Sequence, residues 1–308
     1  GLMGLFGGNY MKEGPGVDKN APKKKGFFLF WDIIIRKFTK MLGVNILHFV
    51  MSIVYLAFVY TVLSGFVMIG FGINNAIYVT AQMAGDEQTI AQVQQLLDFT
   101  VRSLITVFIF NFFGSGLLSA PYAYIMRCYT RGEHVWIWSD GWDKFKENLK
   151  YTVPILIIDS LIIALGMNAV SFYGMFEQQN SGMGETLFTF VKYFTIVILF
   201  LYMMMHIYIY QIMVTYNCRF GELLKSAAIM TIAKLPMNLL LTVITGGAIV
   251  LIFYFIPNPM VSTIVYIVVG GVLFRYPLEF YASRVIEKNI KAVKKNSAKN
   301  EAKITYID

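Results

Sequence analysis

The chain has 308 residues, of which 57% are hydrophobic, 16% aromatic and only 14% charged, with a net charge of +8 and a mean hydropathy of +0.60. A soluble domain would carry about 25% charged residues, so the composition argues against a soluble enzyme. The basic residues lie beside apolar runs rather than on a polar domain of their own, which makes anionic lipid the expected partner and nucleic acid an unexpected one.

Twenty-four of the 26 Lys and Arg residues fall in segments 1–42, 127–150, 216–236 and 275–308; the other two are Arg102 and Lys192. The apolar stretches between these segments approach or exceed the roughly 20 residues a helix needs to cross a bilayer, and basic residues stay on the cytoplasmic side during insertion. The pattern predicts an all-α, polytopic membrane protein with about six transmembrane helices and amphipathic interfacial helices on the cytoplasmic side. In chain order these are a cytoplasmic tail (1–26), an interfacial helix (27–42), a six-span domain (43–281) and a helix extension with a basic tail (282–308). The tail has too short an apolar run for a signal-peptide core. The spans are expected near 43–70, 101–126, 151–173, 188–214, 237–256 and 260–281. An even number returns both termini to one side, and the Lys and Arg distribution makes that side the cytoplasm. Between spans 5 and 6, Ile256-Pro257-Asn258-Pro259 predicts a tight hairpin, because two prolines stop a helix from continuing.

Three segments carry helical periodicity of their own. Phe27, Trp31, Ile34, Phe38 and Met41 recur at three- and four-residue steps, as do Trp138, Trp142, Phe145 and Leu149, and more weakly Phe220, Leu223, Leu224, Ala227 and Met230. Each segment carries a basic residue and then an Asn in or just after its last turns, toward the mouth of a span: Lys40 and Asn45, Lys144 and Asn148, Lys234 and Asn238. This suggests either three degenerate copies of an interfacial helix plus a hairpin, or the ordinary amphipathicity of segments beside a membrane. Trp31, Trp138, Trp142, Phe145 and Asn148 are the candidate interfacial or partner-docking residues.

Inside the spans Asp159 stands out, since VPILIIDSLIIALG puts a carboxyl near mid-span, where it is costly and usually has a partner or a water-filled path. It reads equally as a protonated structural group and as part of a transport path. Arg275 and Glu279, four apart near the inner end of span 6, form a second candidate polar site, through pairing on one helix face or through snorkelling. Asn111, Tyr210 and Gln211 are candidates for interhelical hydrogen bonds. Gly116 with Ala120, and Thr242 with Gly246, make small-residue pairs that let helices approach closely.

No catalytic, cofactor or metal motif is readable. His48, His134 and His206 are isolated, Cys128 and Cys218 read as structural thiols, and Ser115 in Gly-Ser-Gly lacks a nucleophile elbow. No phosphate-binding loop of the Gly-x-x-x-x-Gly-Lys-Ser/Thr type occurs. A non-catalytic protein without cofactors is the expectation.

Two stretches, GPGVDKNAPKKKGFFLFWDIIIRKFTKMLGVNILHF and TRGEHVWIWSDGWDKFKENLKYTVP, resemble the YesL-like bacterial membrane proteins, a family of unassigned biochemistry. The resemblance implies a setting beside ATP-driven carbohydrate importers, and so an accessory or assembly role with the permease subunits of a carbohydrate ABC transporter. The alternative is an autonomous transporter or permease-like subunit with a path lined by Asp159. SDGWDKFKENLKYTVP loosely resembles the ATPase-docking helix of such permeases, but no Glu-Ala-Ala precedes it.

Overall fold

The computed structural model describes residues 26–113 and 116–289, without the side chains of 55–56, 58–71 and 106–113. The expected N-terminal tail, the Lys-rich tail beyond 289, Ser115 and the Asn111 side chain lie outside the described residues. The described chain is helical throughout: α1 (Gly26–Ala84), α2 (Glu87–Phe113), α3 (Ser119–Arg131), α4 (Ile137–Gln179), α5 (Met183–Met213), α6 (Phe220–Ala233), α7 (Leu235–Phe255) and α8 (Pro259–Gly270). α8 passes through a π-helical turn, Gly271–Arg275, and the rod continues to Asn289.

Among the described residues five helices are long and apolar enough to cross a bilayer: Gly26–Val54, Ile137–Gln179, Met183–Met213, Leu235–Phe255 and Pro259–Asn289. Only 11% to 28% of their most apolar windows is buried against protein, so most of that apolar surface must meet another apolar medium. The protein is an all-α, multi-pass membrane protein. The expected second span, 101–126, is divided between α2 and α3. The break passes through Gly116, whose φ of +143° is closed to L side chains, and α2 lies beside both α1 and α4.

Local chemistry sets the helix ends. Asp86 opens α2 by accepting from the Thr89 amide at 3.1 Å and its hydroxyl at 2.6 Å. Asn258 caps α8 through the amides of Met260 and Val261, with Pro259 at the first helical position, which produces the expected hairpin. The amphipathic segments differ in fate. The first is continuous with the span after it, as α1 runs unbroken for 59 residues, about 88 Å at 1.5 Å per residue. The second is continuous too, joined across Pro154 in the 43 residues of α4. Only the third is separate, since Lys234 leaves helical geometry (φ −116°, ψ 21°) between α6 and α7.

The protein core gathers at the end of the bundle where α3 and α6 lie. α3 is nearly enclosed: Ala120 and Ala123 pack with Tyr208, Ile212, Leu223 and Ile286, while Tyr122, Ile125 and Met126 pack with Ile33, Met41 and Tyr276. This short helix therefore joins two hydrophobic clusters and fixes where α1, α5 and the α8 rod stand around it.

Candidate functional site

Two polar clusters lie among the spanning helices. The first surrounds Arg275 in the π-helical turn. Its Nε donates to Glu279 Oε1 at 3.4 Å, Nη1 to His48 Nε2 at 3.3 Å and Nη2 to the Ser119 carbonyl at 3.3 Å. The guanidinium lies over the Tyr122 ring, 4.1 Å from its centroid. Tyr122 is held in turn, its single hydroxyl hydrogen shared between Asn45 Oδ1 at 3.0 Å and the Gly271 carbonyl at 3.2 Å. Asn45 reaches the Val268 carbonyl from α1 at 3.3 Å, and a Cβ on Gly271 would fall 1.8 Å from its Oδ1. Gly271 therefore permits the close approach of α1 to the α8 rod. Gln211 donates to Glu279 Oε2 at 2.7 Å and to the Ala123 carbonyl at 3.0 Å, so Glu279 is engaged at both oxygens.

Because a guanidinium only donates, His48 must accept from it at Nε2, which leaves the imidazole neutral with its proton on Nδ1.

The second cluster is Asp159, Tyr202 and His206, joining α4 to α5. Tyr202 donates its phenolic proton to Asp159 Oδ1, and His206 Nε2 stands 2.9 Å from the same oxygen. His206 Nδ1 lies 3.1 Å from the Tyr202 carbonyl, an acceptor only, and so carries hydrogen. One further proton must then lie between Nε2 and Oδ1, and the pair is neutral as a unit whichever atom holds it. Asp159 is 0% exposed.

A cavity of about 300 Å³ separates the clusters in kind. Arg275, Glu279, His48, Asn45 and Tyr122 line it on one side, and His206 and Tyr210 on another, with Thr242, Thr245 and Gly246 of α7 between. Asp159 is not in its wall; it stands behind His206. The paired small residues Thr242 and Gly246 leave open space here, and a Cβ on Gly246 would touch nothing within 4 Å.

The docking candidates lie elsewhere. Trp138 (67%) and Trp142 (48%) are exposed near the start of α4, Trp142 stacks on Phe145 at 5.2 Å, and Trp31 (48%) meets Phe27 and Phe30 edge-on. Asn148 is buried and donates to the Lys144 carbonyl of its own helix at 2.8 Å, unlike Asn45 and Asn238, which bind other helices. Among the described residues no group of three metal-ligating side chains converges, and both cysteines are free thiols.

The periodic signal did not reveal that His48 and His206 meet the two charged clusters, because their partners are 227 and 47 residues away in sequence. The i to i+4 spacing of Tyr202 and His206, two polar groups on one face of an apolar helix, was the available clue.

No protein-family model, curated protein or solved structure matches the chain. The fold and the site define a helical membrane protein with a largely apolar cavity among its helices, whose wall carries Arg275, Glu279, His48 and His206.

Proposed function

We propose that this is a multi-pass protein of a bacterial plasma membrane, its basic helix ends and both termini cytoplasmic, that admits a small polar solute to the cavity beside Arg275 as part of a transport path. The single observation supporting this reading is that cavity, with Arg275, Glu279, His48 and His206 in its wall amid spans that are otherwise apolar. Buried ionisable groups in a bilayer carry a cost of about 2.5–3.5 kcal/mol each on insertion scales, and in membrane proteins they characteristically line solute or ion paths. In this reading Asp159 supports the path through His206 rather than lining it.

The test uses a Gly246→Cys protein in a Cys128→Ala, Cys218→Ser background, reconstituted in liposomes. A membrane-impermeant methanethiosulfonate reagent should reach the new thiol from either side. Labelling from one side only, or from neither, rules out a transport path through this cavity.

The second reading, an accessory or assembly partner of a carbohydrate ABC importer's permease subunits, is favoured by the YesL-like stretches and by the exposed aromatic surface of Trp138 and Trp142, which lies within one of them. Copurification of permease subunits in mild detergent, reduced by a Trp138→Ala, Trp142→Ala double substitution, would support it.

A further inference from the structure

We propose that the cavity is a site for a small carboxylate-bearing monoanion, gripped by Arg275; this rests on the solute-path reading above and adds the chemical class of the solute. The argument begins with donor capacity. A guanidinium offers five N–H groups, and three are engaged, each at 3.3 to 3.4 Å. Charge-assisted hydrogen bonds close to about 2.7–2.9 Å, so all three contacts are loose. Two N–H groups have no protein acceptor among the described residues. Beside them, His48 holds its proton on Nδ1 with no acceptor among the described residues, and Asn45 commits one of its two amide hydrogens to Val268. Close to the guanidinium, both Glu279 oxygens already accept hydrogen bonds and Asn45 Oδ1 faces the Tyr122 hydroxyl. The unengaged donors of Arg275 complement a ligand that mainly accepts.

Geometry and charge narrow the class. The guanidinium carbon is held 4.1 Å from the Tyr122 ring centroid, and a planar guanidinium presents its N–H groups as a fork that matches a carboxylate bidentately. Tyr122 is itself fixed by Asn45 and by the Gly271 carbonyl, which makes the arrangement rigid before a ligand arrives. Glu279 beside Arg275 brings the local charge to about zero, and a dianion such as phosphate would meet that second carboxylate without a second cation. A monoanion suits the site. The same carboxylate could arrive dissolved in water or at the head of a fatty acyl chain in the bilayer.

The experiment follows methanethiosulfonate labelling of Gly246→Cys in liposomes, with propionate as the water-borne probe, oleate in the bilayer as the lipid-borne probe, and phosphate and glycerol as controls. At ten times its Kd a ligand should slow labelling roughly tenfold by mass action. Protection by propionate assigns the carboxylate to a dissolved solute, and protection by oleate alone assigns it to a lipid. In either case Arg275→Lys, which keeps the charge and loses the fork, should raise the half-protecting concentration about tenfold, and Arg275→Gln should abolish protection in protein that still labels. Labelling from both sides that neither carboxylate slows, or that phosphate or glycerol slows equally, overturns this inference and leaves the solute path standing. Unchanged protection in Arg275→Lys and Arg275→Gln also overturns it. A thiol that cannot be labelled at all removes the path itself.

Discussion

The Arg275 and Asp159 clusters are both made of ionisable groups near mid-helix, yet one faces a cavity and the other is closed off. Asp159 has a tyrosine and a histidine turned onto it from α5 and no exposed surface. Arg275 is paired with Glu279 but retains donors beside the cavity. The contrast teaches that an acid in a span indicates function only in company with the space around it. A carboxyl whose hydrogen bonds are closed by neighbouring helices can hold a bundle together, whereas a cation with loose partners beside a cavity can exchange one of them for a solute.

The largest expected effect breaks the open cluster. Glu279→Ala leaves Arg275 inside the bundle without its carboxylate and should lower stability by about 3–5 kcal/mol, the usual cost of removing one partner of a buried pair. Thermal unfolding of the purified protein in detergent measures it, and a change below 1 kcal/mol in size would mean that the pair is not buried in the working protein. Gly271→Ala comes next. Its methyl would displace Asn45, itself bonded to Tyr122 and Val268, at a cost of about 1–3 kcal/mol for overpacking. Propionate protection should weaken with it, because Tyr122 loses its fixed place.

The sealed cluster should respond differently. Asp159→Asn keeps an acceptor for the Tyr202 hydroxyl and should cost about 1 kcal/mol, in line with interhelical hydrogen bonds in membranes. Labelling of Gly246→Cys should remain two-sided. Loss of labelling from one side would show that Asp159 takes part in the path and would erase the distinction between the clusters. The smallest effect lies outside both. The Thr89 hydrogen bonds hold the Asp86 carboxyl below its ordinary range. A depressed carboxyl stabilises above its unfolded pKa of about 4 and loses that contribution as pH falls through its folded value. Asp86→Ala should therefore lower stability near neutral pH and have far less effect in strong acid, where the carboxyl is protonated in both states, as read by unfolding at the two pH values.

Much of the architecture was legible because a bilayer imposes simple demands. Apolar runs near 20 residues, Pro257 and Pro259 around Asn258, and the segregation of Lys and Arg each follow from a local rule that periodicity and composition express directly. α3 was harder to read. Its sequence, SAPYAYIMRCYTR, has the polarity of a surface helix, yet ten of its 13 residues are buried. Enclosure of this kind depends on which helices surround it. The continuity of α1 and α4 across the expected boundaries at 42 and 150 was also not visible, because an amphipathic segment and an apolar one can share a single helical backbone.

The sequence by itself determined the solvent: 57% hydrophobic residues in long runs require lipid around them, and single polar groups within those runs require partners. Only the tertiary structure decided who those partners are. Asp159 meets His206, Arg275 meets His48, and Gln211 meets Glu279 across 47, 227 and 68 residues of chain. Helical periodicity reports which face of a rod is polar, but the rotation and register of one rod against another come from packing around α3, Gly271 and Asn45. That packing also placed the cavity beside Arg275 and closed it off from Asp159.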